Sequence, residues 1–399
     1  MSITNRLATG YVYENAVAHL ATRQAGLSRL QDQLSASKKI LRPSDDPTGA
    51  AQAERATTRM ARVATDQRGL ELARNAVIDV ESTLGDAVRA VQDFRTLVVQ
   101  AGNGGLSGTD RASLAQQLVS LRNELFAHAN RVDSNGQPLF GGLGSSSMPF
   151  IDASGGVVFD GIAGQVANGA ASVAPVADGN ATWMQVPTGN GVFTVAQDAG
   201  TAAVWSDVGQ VSDPSLVTGH AYRIEFNLVG NAMTYDVVDT TTSTTLQAAQ
   251  PYTDGQAIAF DGLRLAVHGQ PATGNALVLA PSTRTSLFGV LDQAIADVRS
   301  AGTGAELAQN IGRALVQIDA GAQRLSSSRA HAGDLLNQAD NITSRQETRS
   351  MQLEADRSRA EDLDVVKAIS DFQNQQTAYS AALASYAQIQ KLSLFNFIN

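Results

Sequence analysis

Between Thr48 and Ala101 the chain has no proline, and a seven-residue apolar repeat runs through it. Val63, Leu70, Val77, Leu84, Val91 and Val98 hold one register. Ala73, Val80, Ala87, Phe94 and Ala101, three places further on, hold the second. Against an apolar background of 43%, eleven matches in eleven places arise by chance on the order of once in 10,000 for one chosen register. The pattern predicts a long helix with an a/d seam. Roughly fifty residues at about 1.5 Å each would span some 75 Å, too long for one ordinary globular core, so this helix needs partners along its length.

The partners are legible elsewhere. After the glycine-rich break Gly102–Asp110, leucines 114, 118, 121 and 125 alternate in steps of four and three, which predicts a second helix turned back on the first. Leu287, Leu291, Ile295 and Val298 form a third stripe. Beyond Gly302 and Gly304 a fourth, through Ile311, Leu315, Ile318, Ala322 and Leu325, begins a proline-free run to the C-terminus. At least four helical segments therefore need one another to bury their apolar faces.

Both termini carry stripes as well. Tyr13, Leu20, Leu27, Leu34 and Leu41 fall seven apart; at the far end so do Val365, Phe372, Tyr379 and Tyr386, joined by Ile369 and Leu383 and by Phe395 and Phe397 in the tail. Two stripes can pack together within one chain, or neighbouring copies can cover them. A two-helix seam leaves apolar surface over, which favours self-assembly.

Between Gly144 and Thr283 the period drops to two. "YRIEFNL" sets Tyr222, Ile224, Phe226 and Leu228 on one face and Arg223, Glu225 and Asn227 on the other. Further strands are expected at Val157–Phe159, Trp183–Val186, Val192–Val195, Met233–Val238, Ala257–Phe260, Leu263–Val267 and Ala276–Leu279, with turn residues between them. About eight short strands imply a β-sandwich or small barrel. The charge changes with the period: residues 151–281 carry ten Asp and Glu225 against Arg223 and Arg264, whereas the rest of the chain is balanced. The expected fold is mainly α with an inserted all-β domain, the helical part being a long antiparallel rod built from both ends. The predicted organisation is a terminal assembly region (1–44 and 360–399), a helical rod (45–142 and 284–359) and a β-rich outer domain (143–283).

The same composition excludes several functions. A net charge of −9 with only four lysines is wrong for a nucleic-acid binder. There is no cysteine, hence no disulfide framework or thiolate metal site. His19, His128, His220, His268 and His331 stand singly, and no phosphate loop, dinucleotide fingerprint or nucleophile elbow occurs. No catalytic, cofactor or metal site is expected, and no enzymatic activity. No apolar run reaches membrane-spanning or signal-peptide length, so any export is expected to bypass a Sec signal.

The pair Asp45–Asp46, in "ILRPSDDPTGAA", reads as punctuation: Asp46 before Pro47 is a helix start, with the carboxylate capping backbone N–H groups and Pro at the first helical position. The same residues, Arg42, Pro43, Ser44, Asp45, Asp46 and Pro47, in a chain whose helical ends embrace a β-rich insertion, resemble the flagellin family. They look more like its hook–filament junction branch than like filament flagellin. "DSNGQPLFGG", with Leu139, Phe140, Gly141 and Gly142, is similar to a second turn of that branch, although Pro138 stands where an aromatic is usual; the C-terminal "ALASYAQIQKLSLFNFIN" is similar to its last helix. The resemblance covers about residues 1–142 and 284–399. It implies an extracellular structural adaptor of the bacterial flagellum, exported by the flagellar type III apparatus and joined to copies of itself, to a neighbouring hook-associated protein and to flagellin. It also implies a cytoplasmic export chaperone. Filament flagellin is the alternative; a binding module or enzyme in the β domain is a third.

Overall fold

A computed structural model of the chain describes residues 3–145, 148–198, 203–300 and 304–398, with side chains placed within 11–388. Its described helices are α1 (Ile3–Ala36), α2 (Pro47–Ala101), α3 (Gly108–Ala129), the short α4 (Gly179–Trp183), α5 (Leu287–Ser300), α6 (Gly304–Glu361) and α7 (Val365–Ile398). The chain divides into two compact units, Met1–Arg68 with Thr343–Asn399, and Gly69–Ile342. No helix among the described residues is long and apolar enough to cross a membrane.

In the second unit the heptad register of α2 is the register of burial. From Leu70 to Ala101 every predicted a/d residue is buried, and Leu84, Ala87, Val91, Phe94, Val98 and Ala101 are wholly so. The core they enter also holds Leu118 and Leu125 of α3, Leu287, Leu291 and Val298 of α5, and Ile311, Ile318 and Leu325 of α6. Ion pairs fix the direction of the long helices. Arg74 meets Asp340 (3.1 Å), Glu81 meets Arg329 (2.7 Å) and Arg95 meets Asp319 (2.7 Å), so α2 and α6 run antiparallel. The start of α3 is closed by a reciprocal cap in which Ser107 Oγ accepts from Asp110 N–H and the Asp110 carboxylate accepts from Ser107 N–H. Ser107 Oγ also donates to the Asp110 carboxylate (2.7 Å), and this bond with that from Ser107 N–H holds the Asp110 carboxyl below its ordinary range.

Arg122, Asp239 and Asp297 are charged side chains buried in this unit. Arg122 of α3, 6% exposed, donates to Asp152 (2.6 and 3.0 Å) and to Asp292 (2.9 and 3.1 Å), and lies over the rings of Phe126 and Phe288. Burial alone would lower its pKa; the two carboxylates outweigh that and raise it, so the guanidinium stays charged.

The strands are β1 (Phe150–Ala153), β2 (Gly156–Phe159), β3 (Val186–Pro187), β4 (Phe193–Gln197), β5 (Val204–Ser206), β6 (Gln210–Val211), β7 (Tyr222–Val229), β8 (Ala232–Asp239), β9 (Thr244–Pro251), β10 (Gln256–Phe260), β11 (Leu263–Gly269), β12 (Ala276–Pro281) and β13 (Arg284–Thr285). A five-stranded antiparallel sheet in the order β4-β12-β7-β8-β9 faces a second sheet of β10, β11, β5 and β6. Phe193, Tyr222, Ile224, Phe226, Leu265 and Leu279 are among the residues that fill the space between them. This is the sandwich of the two expected alternatives. Leu228 departs from its predicted inward face and is 53% exposed, because β7 there runs out to the Gly230 turn. Trp183 also departs: it ends α4 instead of starting a strand, and lies fully buried against Phe288, with ring centroids 5.8 Å apart. Together with Phe150, Val157 and Val186 it belongs to the core of the helices. The inserted segment thus feeds two cores, and the sandwich's own begins at Phe193.

Candidate assembly site

In the first unit α1 and α7 pair antiparallel. Tyr13 stacks obliquely on Tyr386 (5.7 Å), Gly26 faces Gln375, and Ser37 C=O accepts from Leu363 N–H (3.1 Å). A step forward on one helix matches a step back on the other. The pair meets the helix breaks at 37–46 and 362–364 in a small knot of hydrogen bonds to main-chain atoms. Lys39 N–H donates to Glu361 C=O (2.9 Å), Lys39 Nζ to Arg359 C=O (2.8 Å) and Gln33 Nε2 to Lys39 C=O (2.7 Å), while Lys38 forms an ion pair with Glu361.

The turn between α1 and α2 uses both aspartates. Asp45 Oδ2 accepts from Leu41 N–H (3.2 Å) and Arg42 N–H (2.9 Å), folding the turn back on itself. Asp46 Oδ1 accepts from Thr48 N–H (3.1 Å) and Gly49 N–H (2.9 Å), capping α2 at Pro47 as the sequence predicts. Gly49 packs closely under the cap. A Cβ there would lie 2.5 Å from the capping carboxylate and 2.6 Å from Ile40 Cδ1.

The second motif sits in the other unit and closes the end of α3. Asp133 Oδ1 accepts from Asn135 and Gln137 N–H (both 2.8 Å). Pro138 pairs with Val132 across the turn. Leu139 and Phe140 then enter the core, Phe140 edge-on to Trp183 at 5.5 Å. Gly142 has φ +67° and a Cβ there would lie 2.1 Å from Ile162 C=O, so no other residue fits. Gly141 is buried beside it.

The terminal stripes are only half covered. On α1, Leu20, Leu27 and Leu34 are half-buried and Tyr13 is exposed; Leu41, in the turn, is exposed too. On α7, Phe372, Tyr379 and Tyr386 are half-buried, whereas Val365, Ile369 and Leu383 are exposed. Phe395 and Phe397 lie outside the described side chains. The structure therefore brings together Leu20, Leu27 and Leu34 with Phe372, Tyr379 and Tyr386 on one helix pair and leaves Leu41, Val365 and Leu383 facing outward. What sequence reasoning missed here is polar: Gln33, Lys39 and Glu361, which stitch the joint through main-chain atoms and so leave no spacing signal.

Charge pairing on the long helices also differs between units. In the second, α2's Arg74, Arg89 and Arg95 each meet a carboxylate. In the first, among the described residues, Arg55, Arg59 and Arg62 of α2 meet none, and neither does Arg42 of the turn. Arg55 and Arg59 line a groove of about 390 Å³ with Leu353, Asp356, Arg359 and Ala360. Beside the turn lies a cavity of about 690 Å³.

Residues 7–145 match the family model of the bacterial flagellin N-terminal helical region, as the two turn motifs had indicated. The chain is similar to flagellar hook-associated protein 3 of Salmonella typhimurium, at 36% identity over 38% of this chain and 48% of that protein. With the protein of the same name from Escherichia coli the identity is 30%, over 50% of this chain and 62% of the relative. The matches therefore span only about half to three-fifths of the curated relatives. The fold is also that of a crystal structure titled the flagellar junction protein FlgL from Legionella pneumophila, with a TM-score of 0.67 at 26% identity, covering 73% of this chain and 99% of that one.

Proposed function

We propose that the chain is a structural adaptor of the bacterial flagellum that forms the junction layer between hook and filament by helix-mediated self-assembly. The observation that carries this reading is the half-covered α1–α7 pair, whose Val365, Ile369 and Leu383 remain exposed after the chain has folded. Burying such residues stabilises by roughly 25 cal/mol per Å² of apolar surface removed from water, and only a partner can supply that burial. The likeness to proteins named for the hook and the junction supports the location. In this reading, residues 1–44 and 360–399 are the assembly region, residues 45–142 and 284–359 its support, and residues 143–283 an outer domain. Leu20, Leu27, Leu34, Leu41, Val365, Phe372, Tyr379, Leu383, Tyr386, Phe395 and Phe397 meet neighbouring copies, a hook-associated protein on one side and flagellin on the other. A cytoplasmic chaperone covers these apolar faces before type III export, and the protein functions outside the cell without catalysis.

Deleting Leu383–Asn399 is expected to abolish incorporation while leaving the β-sandwich folded. Normal filament growth from that variant overturns the proposal. Labelled antibody on isolated flagella should mark a band at the hook boundary, whereas staining along the whole filament identifies a flagellin.

A further inference from the structure

Four Asn–Gly pairs occur in the chain: Asn103–Gly104, Asn135–Gly136, Asn168–Gly169 and Asn190–Gly191. Such a pair can close on itself, because glycine has no side chain to shield its backbone nitrogen from the preceding carboxamide. Closure needs that nitrogen released from other hydrogen bonds and the side-chain amino group free to leave. At three pairs the fold ties the nitrogen down. Gly191 N–H donates to Thr188 C=O (3.2 Å), Gly169 N–H to Ser172 C=O (3.0 Å) and Gly136 N–H to Asp133 C=O (3.0 Å). Two of these carboxamides are held as well. Asn190 Nδ2 donates to Gly209 C=O (3.1 Å) while its Oδ1 accepts from Val192 and Phe193 N–H (both 3.0 Å); Asn168 Nδ2 donates to Gln338 Oε1 (2.6 Å) while its Oδ1 accepts from Ala174 N–H (2.9 Å).

The pair at the break between α2 and α3 differs. Among the described residues Gly104 N–H and Asn103 Nδ2 meet no partner, whereas Asn103 Oδ1 accepts from Gly105 N–H (3.0 Å). That bond folds the carboxamide back over the Asn103–Gly104 peptide and polarises its carbonyl. The main chain around it is fixed: Asn103 N–H donates to Gln100 C=O (3.1 Å) and Asn103 C=O accepts from Leu106 N–H (3.2 Å). Both residues are exposed, and a Cβ on Gly104 would meet nothing within 4 Å. The reacting groups are therefore held together with water at hand.

We infer that Asn103 is a site of spontaneous deamidation through a cyclic imide formed with Gly104. Gly104 N bonds to Asn103 Cγ, the Cγ–Nδ2 bond breaks, and Nδ2 departs as ammonia with the proton that Gly104 N–H gives up. Water then opens the imide at either carbonyl, leaving aspartate or β-linked isoaspartate. Nothing is oxidised or reduced, and water is the sole co-reactant. The product sets a carboxylate at the negative end of the α2 dipole, in the loop that leads to the Ser107–Asp110 cap. The β-linked form also lengthens the main chain there by a carbon. This modification goes beyond the assembly reading and does not depend on it.

The test incubates the full-length chain in mildly alkaline buffer and follows all four pairs by peptide mapping with mass spectrometry, using isoaspartyl methyltransferase labelling to mark the β-linked product. Asn103 should convert roughly fivefold or more faster than any of the other three, about the factor that one hydrogen bond of ordinary net strength imposes. In denaturant the four rates should converge, because the bonds that separate them are gone. Gly104→Ala, whose Cβ enters open space, should slow conversion at Asn103 while leaving the other pairs and the melting curve unchanged. Conversion of Asn135, Asn168 or Asn190 as fast as that of Asn103 in the folded chain, an intact Asn103, or an order of rates that denaturant leaves unaltered overturns the inference.

Discussion

The same kind of sequence signal, an apolar residue every seventh place, has opposite outcomes in two parts of the molecule. Along α2 in the second unit, the ten repeat positions from Leu70 to Ala101 are all buried, and Arg74, Arg89 and Arg95 are each matched by a carboxylate. On α1 and α7 an equally regular stripe is half-buried at best. The difference is the number of neighbours. The core around α2 draws side chains from α3, α5, α6 and the β1–β2 hairpin, so its apolar face is surrounded; α1 and α7 have chiefly each other, and a two-helix seam leaves an outer flank wet. A heptad repeat states that a face wants cover, and the count of available elements decides whether one chain provides it.

That contrast can be broken by mutation. Phe94→Ala removes a fully buried ring and should cost about 3–5 kcal/mol in denaturant unfolding followed on the full chain. Arg122→Met leaves Asp152 and Asp292 without their shared cation. Because both carboxylates are partly exposed, water offsets part of the loss and about 2 kcal/mol is expected. Asp46→Ala removes the α2 cap and should cost about 1 kcal/mol, read as earlier melting of helical signal. Leu27→Ala, in the half-covered pair, should cost the isolated chain less than about 1 kcal/mol while strongly impairing assembly measured by sedimentation. A large loss of monomer stability from Leu27→Ala would erase the distinction between the two regions.

A pH effect is expected in the sandwich. Burial would raise the Asp239 carboxyl, but N–H groups of Thr241 and Thr242 at 2.8 and 3.1 Å and His220 Nδ1 at 2.7 Å outweigh it, bringing it down to about 2. A depressed carboxyl stabilises the fold above its ordinary pKa and loses that contribution as pH falls. Melting temperature should therefore drop as pH falls from about 4 toward 2. Asp239→Asn should flatten this part of the profile, and an unchanged slope would exclude Asp239 as its source.

Much of the scaffold is legible in residues alone. The α2 seam, the α3 and α5 stripes and the start at Asp46–Pro47 follow from period and capping, because both depend on neighbours within a few places. Strand β9 was not foreseen: "TTLQAAQP" is a sheet edge with little buried surface, so no alternation marks it. Trp183 was misplaced for a related reason, since a single large apolar residue does not say which core it enters. At the candidate site the stripes were visible, yet Lys39, Gln33 and Glu361 were not, because they act through backbone atoms that every sequence possesses.

The sequence by itself determined the long helices, the β-rich insertion and the turn chemistry that joins them, since periodicity, proline, glycine and caps act locally. Only the tertiary structure decided that Arg122 is held between two aspartates, that Phe150 and Trp183 join the helical core, and that Val366 is left outside. Those outcomes depend on which elements surround a side chain, and segments far apart in the chain supply them.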